Sequence, residues 1–482
     1  MEVLTHNFKP AAKKALLDQD LRAAMGRAES GFVDTRKKVT DELLNFEEFR
    51  SFGRDVKNHT LANLDYYLEL FEKNVTAQGG HVHWAKNGEE ANRIILDICK
   101  QADARKIIKG KSMVSEEAGT NAALERQGYK VIETDLGEYI IQLAGETPSH
   151  IIAPAVHKSK KAVTELFDRY HAPMGYEPVT EHEAIVNQAR QILRDHFCSA
   201  DVGITGGNFL VAETGSVAII TNEGNGDLTS CLPKVHIVTT SIEKVIPDME
   251  ALGGFLRLLA RSATGQITSV YTTLFNGPKR DKDIDGPEEF HVVLLDNGRS
   301  EILGSEYQDI LRCIRCGACL NHCPVYTSIG GHAYGWVYPG PMGSVLTPIL
   351  VGRENAGDLP NACTLNGRCA SVCPVKIPLP SLLRKHRSDL VKAGSQGSAQ
   401  KVTLSFWYAL ARRPVLYGVL MRVFNTVLRL FSQLGKAGQR GRIQNLPGAS
   451  AWTSSRDLPA PDKSTFQALW KTAKVSSNRS VK

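Results

Sequence analysis

The sequence predicts an α/β domain built on a largely parallel sheet, followed by a smaller α-helical module organised around cysteines. Three observations predict it. Short β-rich runs alternate with helical stretches between about residues 78 and 300, the texture turns Cys-, Gly- and Pro-rich after Leu303, and seven of the ten cysteines crowd between Cys313 and Cys373. At 482 residues, 42% hydrophobic and 23% charged, the chain has ordinary globular composition and length enough for two or three domains.

Residues 1–75 mix charges with apolar residues at helical spacing, as in Leu61, Leu64, Tyr67, Leu68 and Phe71, and read as an α-helical segment. From 76 to 302 the runs HVHWA, KIIKGKSMV, KVIETD, HIIAP, DVGITG, VAIITN, KVHIVTT, VYTTLF and FHVVLLD read as strands, with helical stretches such as 88–104 and 180–196 between them. Residues 303–394 form the cysteine-bearing module. Ser395 to Ala399 reads as a linker into a basic C-terminal region, 395–482. There Tyr417, Leu420, Met421, Phe424, Val427, Leu428, Phe431 and Leu434 share one helix face opposite Arg422, Asn425, Arg429 and Lys436, the pattern of an amphipathic helix. The final forty residues, with Pro447, Pro459, Pro461 and many Ser and Gly, read as weakly structured.

The formal net charge of +7 is unevenly divided. Residues 401–482 hold fourteen Lys or Arg against Asp457 and Asp462, whereas the first 400 residues sum to −5. A basic tail on an acidic body suits an acidic partner or a peripheral contact with an anionic membrane surface, with a solvated tail as the bland alternative. The absence of a recognition motif argues against nucleic acid. Arg412, Arg413, Pro414, Arg422 and Arg429 break the apolar stretch 402–434, so no membrane span is expected. Lys13, Lys14, Asp18, Asp20 and Arg22 interrupt the N-terminus, so no signal peptide is expected either. Clustered cysteines in a long chain favour metal binding in a reducing, cytoplasmic setting over disulfides.

The first cysteine motif is Cys313-x2-Cys316-x2-Cys319-x3-Cys323-Pro324. At this spacing a turn-rich loop wraps three corners of an iron-sulfur cubane, and its fourth cysteine serves the neighbouring cluster. A zinc site would use two CxxC pairs and four ligands. The second motif, Cys363-x5-Cys369-x3-Cys373-Pro374, matches the first with Asn366 where a cysteine would stand. The crossed rule gives Cys313, Cys316, Cys319 and Cys373 to one 4Fe-4S cluster and Cys323, Cys363 and Cys369 to a second. That second cluster is expected to be 3Fe-4S, or 4Fe-4S with a noncysteine fourth ligand such as Asn366, water or a partner's group. Adjacent clusters imply a ferredoxin-like electron relay. Cys99, Cys198 and Cys231 have no ligand partners in sequence and read as structural thiols.

In the α/β domain, the segments 203–208, 213–216 and 222–226 are rich in Gly, Asn and Thr at strand ends; they serve either anion-binding loops or tight turns. No P-loop or GxGxxG motif supports nucleotide binding. Lys111, Glu116, Glu117, Asp135, Glu138, His150, His157, Glu213 and Glu223 are the polar residues suited to binding a carboxylate or moving a proton, although each is as well suited to capping or pairing. No catalytic residue is assigned among them.

Four segments carry a family resemblance: KGKSMVSEEAGTNAALERQGYKVIETDLGEYIIQLAGETPSHIIAPAVHK, ITGGNFLVAETGSVAIITNEGNG, GPKRDKDIDGPEEFHVVLLDNGRSEIL and GGHAYGWVYPGPMGSVLTP. Across roughly residues 60–430 the chain resembles the lactate-utilization iron-sulfur proteins. The resemblance implies a LUD domain from about 70 to 300, similar to cyclo-ligase and sugar-phosphate isomerase-like α/β folds. It also implies a bacterial cytoplasmic protein that acts with two other subunits, a CCG-domain iron-sulfur protein and a second LUD protein, in oxidising L-lactate to pyruvate. The family's second motif has four cysteines, so Asn366 is a departure. Two rival readings stay open: an α/β enzyme for a phosphorylated or CoA-like ligand with redox-sensing clusters, and a docking protein whose clusters hold a surface.

Overall fold

β-Branched runs ending in glycine or polar turns form β1 His81–Ala85, β2 Lys106–Lys109, β3 Lys130–Glu133, β4 Val202–Gly206, β5 Phe209–Val211, β6 Ser216–Thr221, β7 Val235–Ser241, β8 Val245–Ile246, β9 Tyr271–Phe275 and β10 Glu289–Leu295. The computed structural model describes residues 2–394, 398–433, 441–446, 448–453, 456–462 and 464–479, in two compact units, Met1–Asp389 and Leu390–Lys482. In the first unit a six-stranded sheet runs β1-β10-β7-β4-β2-β3 with every neighbouring pair parallel. Helices Gly88–Gln101 and His182–Cys198 fall where the sequence pattern places them. β7 is buried along its whole length, as a central strand covered on both faces must be.

After β2 the chain passes to β3 on one side and then returns to β4 on the other. The carboxyl ends of β2 and β4 are therefore a topological switch point, where open α/β sheets leave a crevice. A second, mixed sheet, β8-β5-β6-β9, packs nearby. Gly203 on β4 allows helix Asn225–Cys231 to close on the sheet, since a Cβ there would lie 1.8 Å from Thr229 O.

HIIAP, expected as a strand, is a turn. His150 Nδ1 accepts from Ile152 N and Ala153 N, both at 3.0 Å, and these local bonds replace a ladder. β5 and β8 escape sequence detection because three and two residues are too short to show alternation.

The N-terminal segment folds as helices Phe8–Leu17, Gln19–Asp41, Phe46–Ala62 and Leu64–Ala77. Asp18 caps the second, accepting from Leu21 N at 2.9 Å. The apolar faces of the first three, through Phe8, Met25, Phe46 and Leu61, share one core with Ile314, Tyr326 and Val337 of the cysteine-bearing module, whereas Leu64, Leu68, Phe71 and Val75 of the fourth pack on the α/β domain with Phe290 and Val292. The first three helices are thus a cover for that module.

In the second unit, helices Ser398–Ala411, Pro414–Gln433 and Phe466–Arg479 accompany a short antiparallel pair, Arg442–Ile443 with Leu458–Pro459. Three expectations change here. The proposed linker 395–399 already enters a helix at Ser398, its first three residues lying outside the described residues. The last forty residues contain a helix, in which Phe466, Leu469 and Trp470 recur at helical spacing despite the Pro- and Ser-rich composition around them. The amphipathic helix is 20 residues long with mean hydropathy 1.3, long and apolar enough to cross a membrane by length and composition alone. Arg412 and Arg413 precede it and Pro414 starts it, so only Arg422 and Arg429 fall within. Leu434 and Lys436 of the expected face, and Pro447, lie outside the described residues.

Candidate metal centres and the adjoining cleft

Residues 308–324 and 359–374 repeat one backbone at an offset of fifty positions. A 3-10 turn, Gln308–Arg312 or Leu359–Ala362, leads into Cys313 or Cys363, and a short helix, Ala318–Asn321 or Arg368–Ser371, follows. Between them Arg315 and Gly317 have φ of 58° and 74°, and Leu365 and Gly367 have 57° and 85°. Left-handed backbone at a non-glycine residue costs about 1–2 kcal/mol, so two such positions in register mark a constraint on the loop. The constraint turns amide groups toward sulfur: Arg315 N lies 3.4 Å from Cys313 Sγ, and Leu365 N lies 3.2 Å from Cys363 Sγ.

The fold sorts the seven cysteines into the crossed sets. Cys313, Cys316, Cys319 and Cys373 bound one apolar cavity, together with Ile314, Met342, Val375 and Ile377. Cys323, Cys363 and Cys369 are mutual electrostatic neighbours. Burial, then Cys373, pushes Cys316 up to about 12; burial, then Cys363 and Cys323, does the same to Cys369. Clustered buried thiols of this kind ionise when a metal cation takes the place of their protons and neutralises the thiolates, the protons leaving to solvent, which fits the donor set to iron. Asn366 is exposed, and its Oδ1 accepts from Arg368 N at 3.1 Å. Cys316 receives the equivalent bond from the backbone of Ala318, two residues on. The carboxamide therefore occupies the loop position of the missing thiolate.

The two loops have different surroundings. Arg315, 9% exposed, reaches Glu243 at 3.1 Å and lies over the Tyr338 ring, 4.7 Å from its centroid. Glu243 also faces Arg299 Nε at 3.0 Å, a charge contact without hydrogen-bond alignment. Arg299 is wholly buried and pairs with Glu117 at 2.6 Å, to which Tyr338 donates at 2.6 Å. Against the pull of burial, Arg299 and Arg315 hold the Glu243 carboxyl down to about 2. This network stitches the α/β domain to the first loop. The second loop leaves Thr364, Leu365, Asn366 and Arg368 exposed, and it is braced from behind: Arg36 donates to Val372 O and Arg50 to Cys373 O, both at 2.9 Å.

A cleft of about 280 Å³ opens at the switch point, lined by Lys111, Ser112, Asp135, Thr205 to Asn208, Glu223 and Thr239. Lys244 and Arg315 also line it, and Arg315 and Ile151 line both it and the Cys313 cavity. Lys111 donates to Ile152 O. Burial, then Arg315, pulls Lys244 down to about 7. Burial, then Asp135, raises Glu223.

Of the polar residues picked from sequence, Lys111, Asp135 and Glu223 meet in this cleft. Glu138, buried with Oε1 unpartnered, lies within electrostatic reach of Lys111. Glu116 joins Glu133 in pairing with the buried Lys109, and Glu117 belongs to the Arg299 network. Glu213 accepts from Met249 N at the start of helix Met249–Ala263. His157 bonds Glu146 at 2.7 Å, away from the cleft lining. His150 is buried, and its Nε2 bonds Asn321 Oδ1 at 2.9 Å, so it positions the first cysteine loop. Burial pulls it down to about 4. Sequence reasoning missed Lys244 and Arg315: the first follows a strand with no motif around it, and the second stands as a spacer between two cysteines. Of the three glycine-rich segments, 203–208 and 222–226 contribute to the cleft and 213–216 is a turn.

A parallel α/β domain with a switch-point cleft, joined to a doubled cysteine loop, defines a two-cluster iron-sulfur protein. Residues 68–295 match the LUD domain, 309–377 the 4Fe-4S dicluster domain, and 384–475 the lactate utilisation protein B C-terminal domain. Relatives named lactate utilization protein B are 44% identical over 470 residues in Lysinibacillus sphaericus, covering 97% of both chains, and 43% identical in Anoxybacillus flavithermus, covering 97% of this chain and 98% of that one. The Bacillus thuringiensis relative is 42% identical over 481 residues, covering 99% of this chain and all of its own. The chain belongs to the lactate utilization protein B family.

Proposed function

We propose that this chain is the electron-transfer subunit of an assembly that oxidises L-lactate to pyruvate. The observation that carries the reading is the doubled loop, which gathers two crossed cysteine sets side by side. Cys313, Cys316, Cys319 and Cys373 would hold a 4Fe-4S cluster. Cys323, Cys363 and Cys369 would hold a second, either 3Fe-4S or 4Fe-4S with Asn366 or a solvent ligand at the fourth corner. Such clusters supply one-electron transfer and accept no hydride.

The chain's own residues set the conditions for that transfer. The Arg315 and Leu365 amides support sulfur charge, and Ile314, Val375 and Ile377 exclude water from the first site. Because lactate loses two electrons and two protons while clusters carry electrons singly, the first acceptor at carbon is distinct from the clusters, on a partner subunit, a bound flavin or a site in the α/β domain, with a CCG-domain iron-sulfur protein and a second LUD protein as the proposed companions. The setting is the cytoplasm, with the basic C-terminal unit available for peripheral contact with an anionic membrane.

The test is anaerobic mixing of the full chain with its partner subunits and L-lactate. The expected result is bleaching of the visible iron-sulfur absorbance and a new paramagnetic signal. A complex that turns over lactate with neither change overturns the proposal.

A further inference from the structure

We propose that the cleft at the carboxyl ends of β2, β4 and β7 binds a small organic acid through its carboxylate, using Lys244, Lys111 and Arg315. The ligand class follows from the chemistry of the walls. Lys244 is 6% exposed, lines the cleft, and makes no hydrogen bond or ion pair among the described residues. A buried ammonium without a partner costs several kcal/mol, and an anion removes that cost. Arg315 and Lys111 add positive charge on the same lining, although both already have partners, Glu243 and Ile152 O. The topology places this convergence where ligands of open α/β sheets bind.

Size and polarity narrow the class further. A volume of about 280 Å³ lies at the lower edge of the range for small-molecule sites and has ample room for an acid of a few carbon atoms. Asp135 and Glu223 also line the cleft; Asp135 Oδ1 is occupied by the amides of Gly137 and Glu138, whereas Glu223 offers a carboxyl group to a ligand hydroxyl or keto group. One carboxylate beside one small polar group, as in a 2-hydroxy or 2-oxo acid, matches that layout. Arg315 and Ile151 line both this cleft and the Cys313 cavity, so a ligand there would adjoin the first cysteine loop.

The inference deepens the electron-transfer reading and takes its probes from it, but it is tested without partners or turnover. Anaerobically purified full-length protein is titrated calorimetrically with L-lactate, pyruvate and inorganic phosphate, alongside Lys244→Met and Lys111→Met, with iron content and thermal unfolding as controls for folding. The expected result is saturable binding of both carboxylates, weakened about tenfold or more in at least one variant whose iron content is unchanged. No binding by the wild type, binding insensitive to both substitutions, or phosphate bound as tightly as the carboxylates overturns the proposal. Failure here would leave lactate-dependent cluster reduction in the assembly unaffected, so the two readings fail separately.

Discussion

Two loops with the same backbone stand in opposite environments. The first, around Cys313, is buried and tied by Arg315 to a four-charge network spanning Glu243, Arg299 and Glu117. The second, around Cys363, puts Leu365 at the matching left-handed position with 38% of its surface exposed. Repetition thus supplies the cysteine geometry, while the residue in the spacer position decides what each loop faces. Arginine ties one loop to the α/β cleft; leucine leaves the other at the surface.

The largest effect that would sharpen this contrast comes from removing one thiol from each set. Cys319→Ser is expected to lose about four iron atoms per chain and to lower the unfolding midpoint, because its cavity lies in the main core. Cys369→Ser is expected to lose only the second site's iron and to leave the first site's spectrum intact. Iron analysis with electron paramagnetic spectra of both variants checks this, and loss of both clusters in Cys369→Ser would break the contrast.

Glu243→Gln comes next. Removing the carboxylate between two buried guanidinium groups is expected to cost about 3–5 kcal/mol in urea unfolding. Because the folded carboxyl is depressed to about 2 from an ordinary 4.5, its contribution is complete above pH 4.5 and disappears as pH falls through about 2. The stability difference between wild type and variant should therefore narrow across that window, and a difference independent of pH would remove the charge from the explanation.

The smallest effect belongs to Asn366→Cys. An exposed substitution in the second loop should change stability by about 0.5 kcal/mol or less, while iron rises from about seven to about eight atoms per chain if the native site holds three. An unchanged count near eight would assign a noncysteine fourth ligand to the native cluster.

The parallel sheet was legible because its strands are continuous β-branched runs separated by helices, as in KVHIVTT and FHVVLLD. The cysteine motifs were legible because chelation fixes local spacing, and the structure gathers Cys313, Cys316, Cys319 and Cys373 around one cavity. The Arg299–Glu117 pair was not legible, since its partners are 182 positions apart and charge alone does not reveal burial. HIIAP misled because its apolar residues serve a turn between the cleft and the first loop rather than a ladder. Lys244 became meaningful only when the fold buried it beside Arg315 with no hydrogen bond or ion pair among the described residues.

The arginine braces behind the second loop also impose an order on biosynthesis. Arg36 is 336 positions from its acceptor at Val372, and Arg50 is 323 from Cys373. A nascent chain therefore exposes its N-terminal helices long before the carbonyls they support have been made. Cys373 is needed to complete the first cysteine set, so that set too stays open until the same stretch emerges. Each cysteine set is consequently completed only late in synthesis, the second at Cys369 and the first at Cys373, and truncation before residue 369 would leave both short of a thiol.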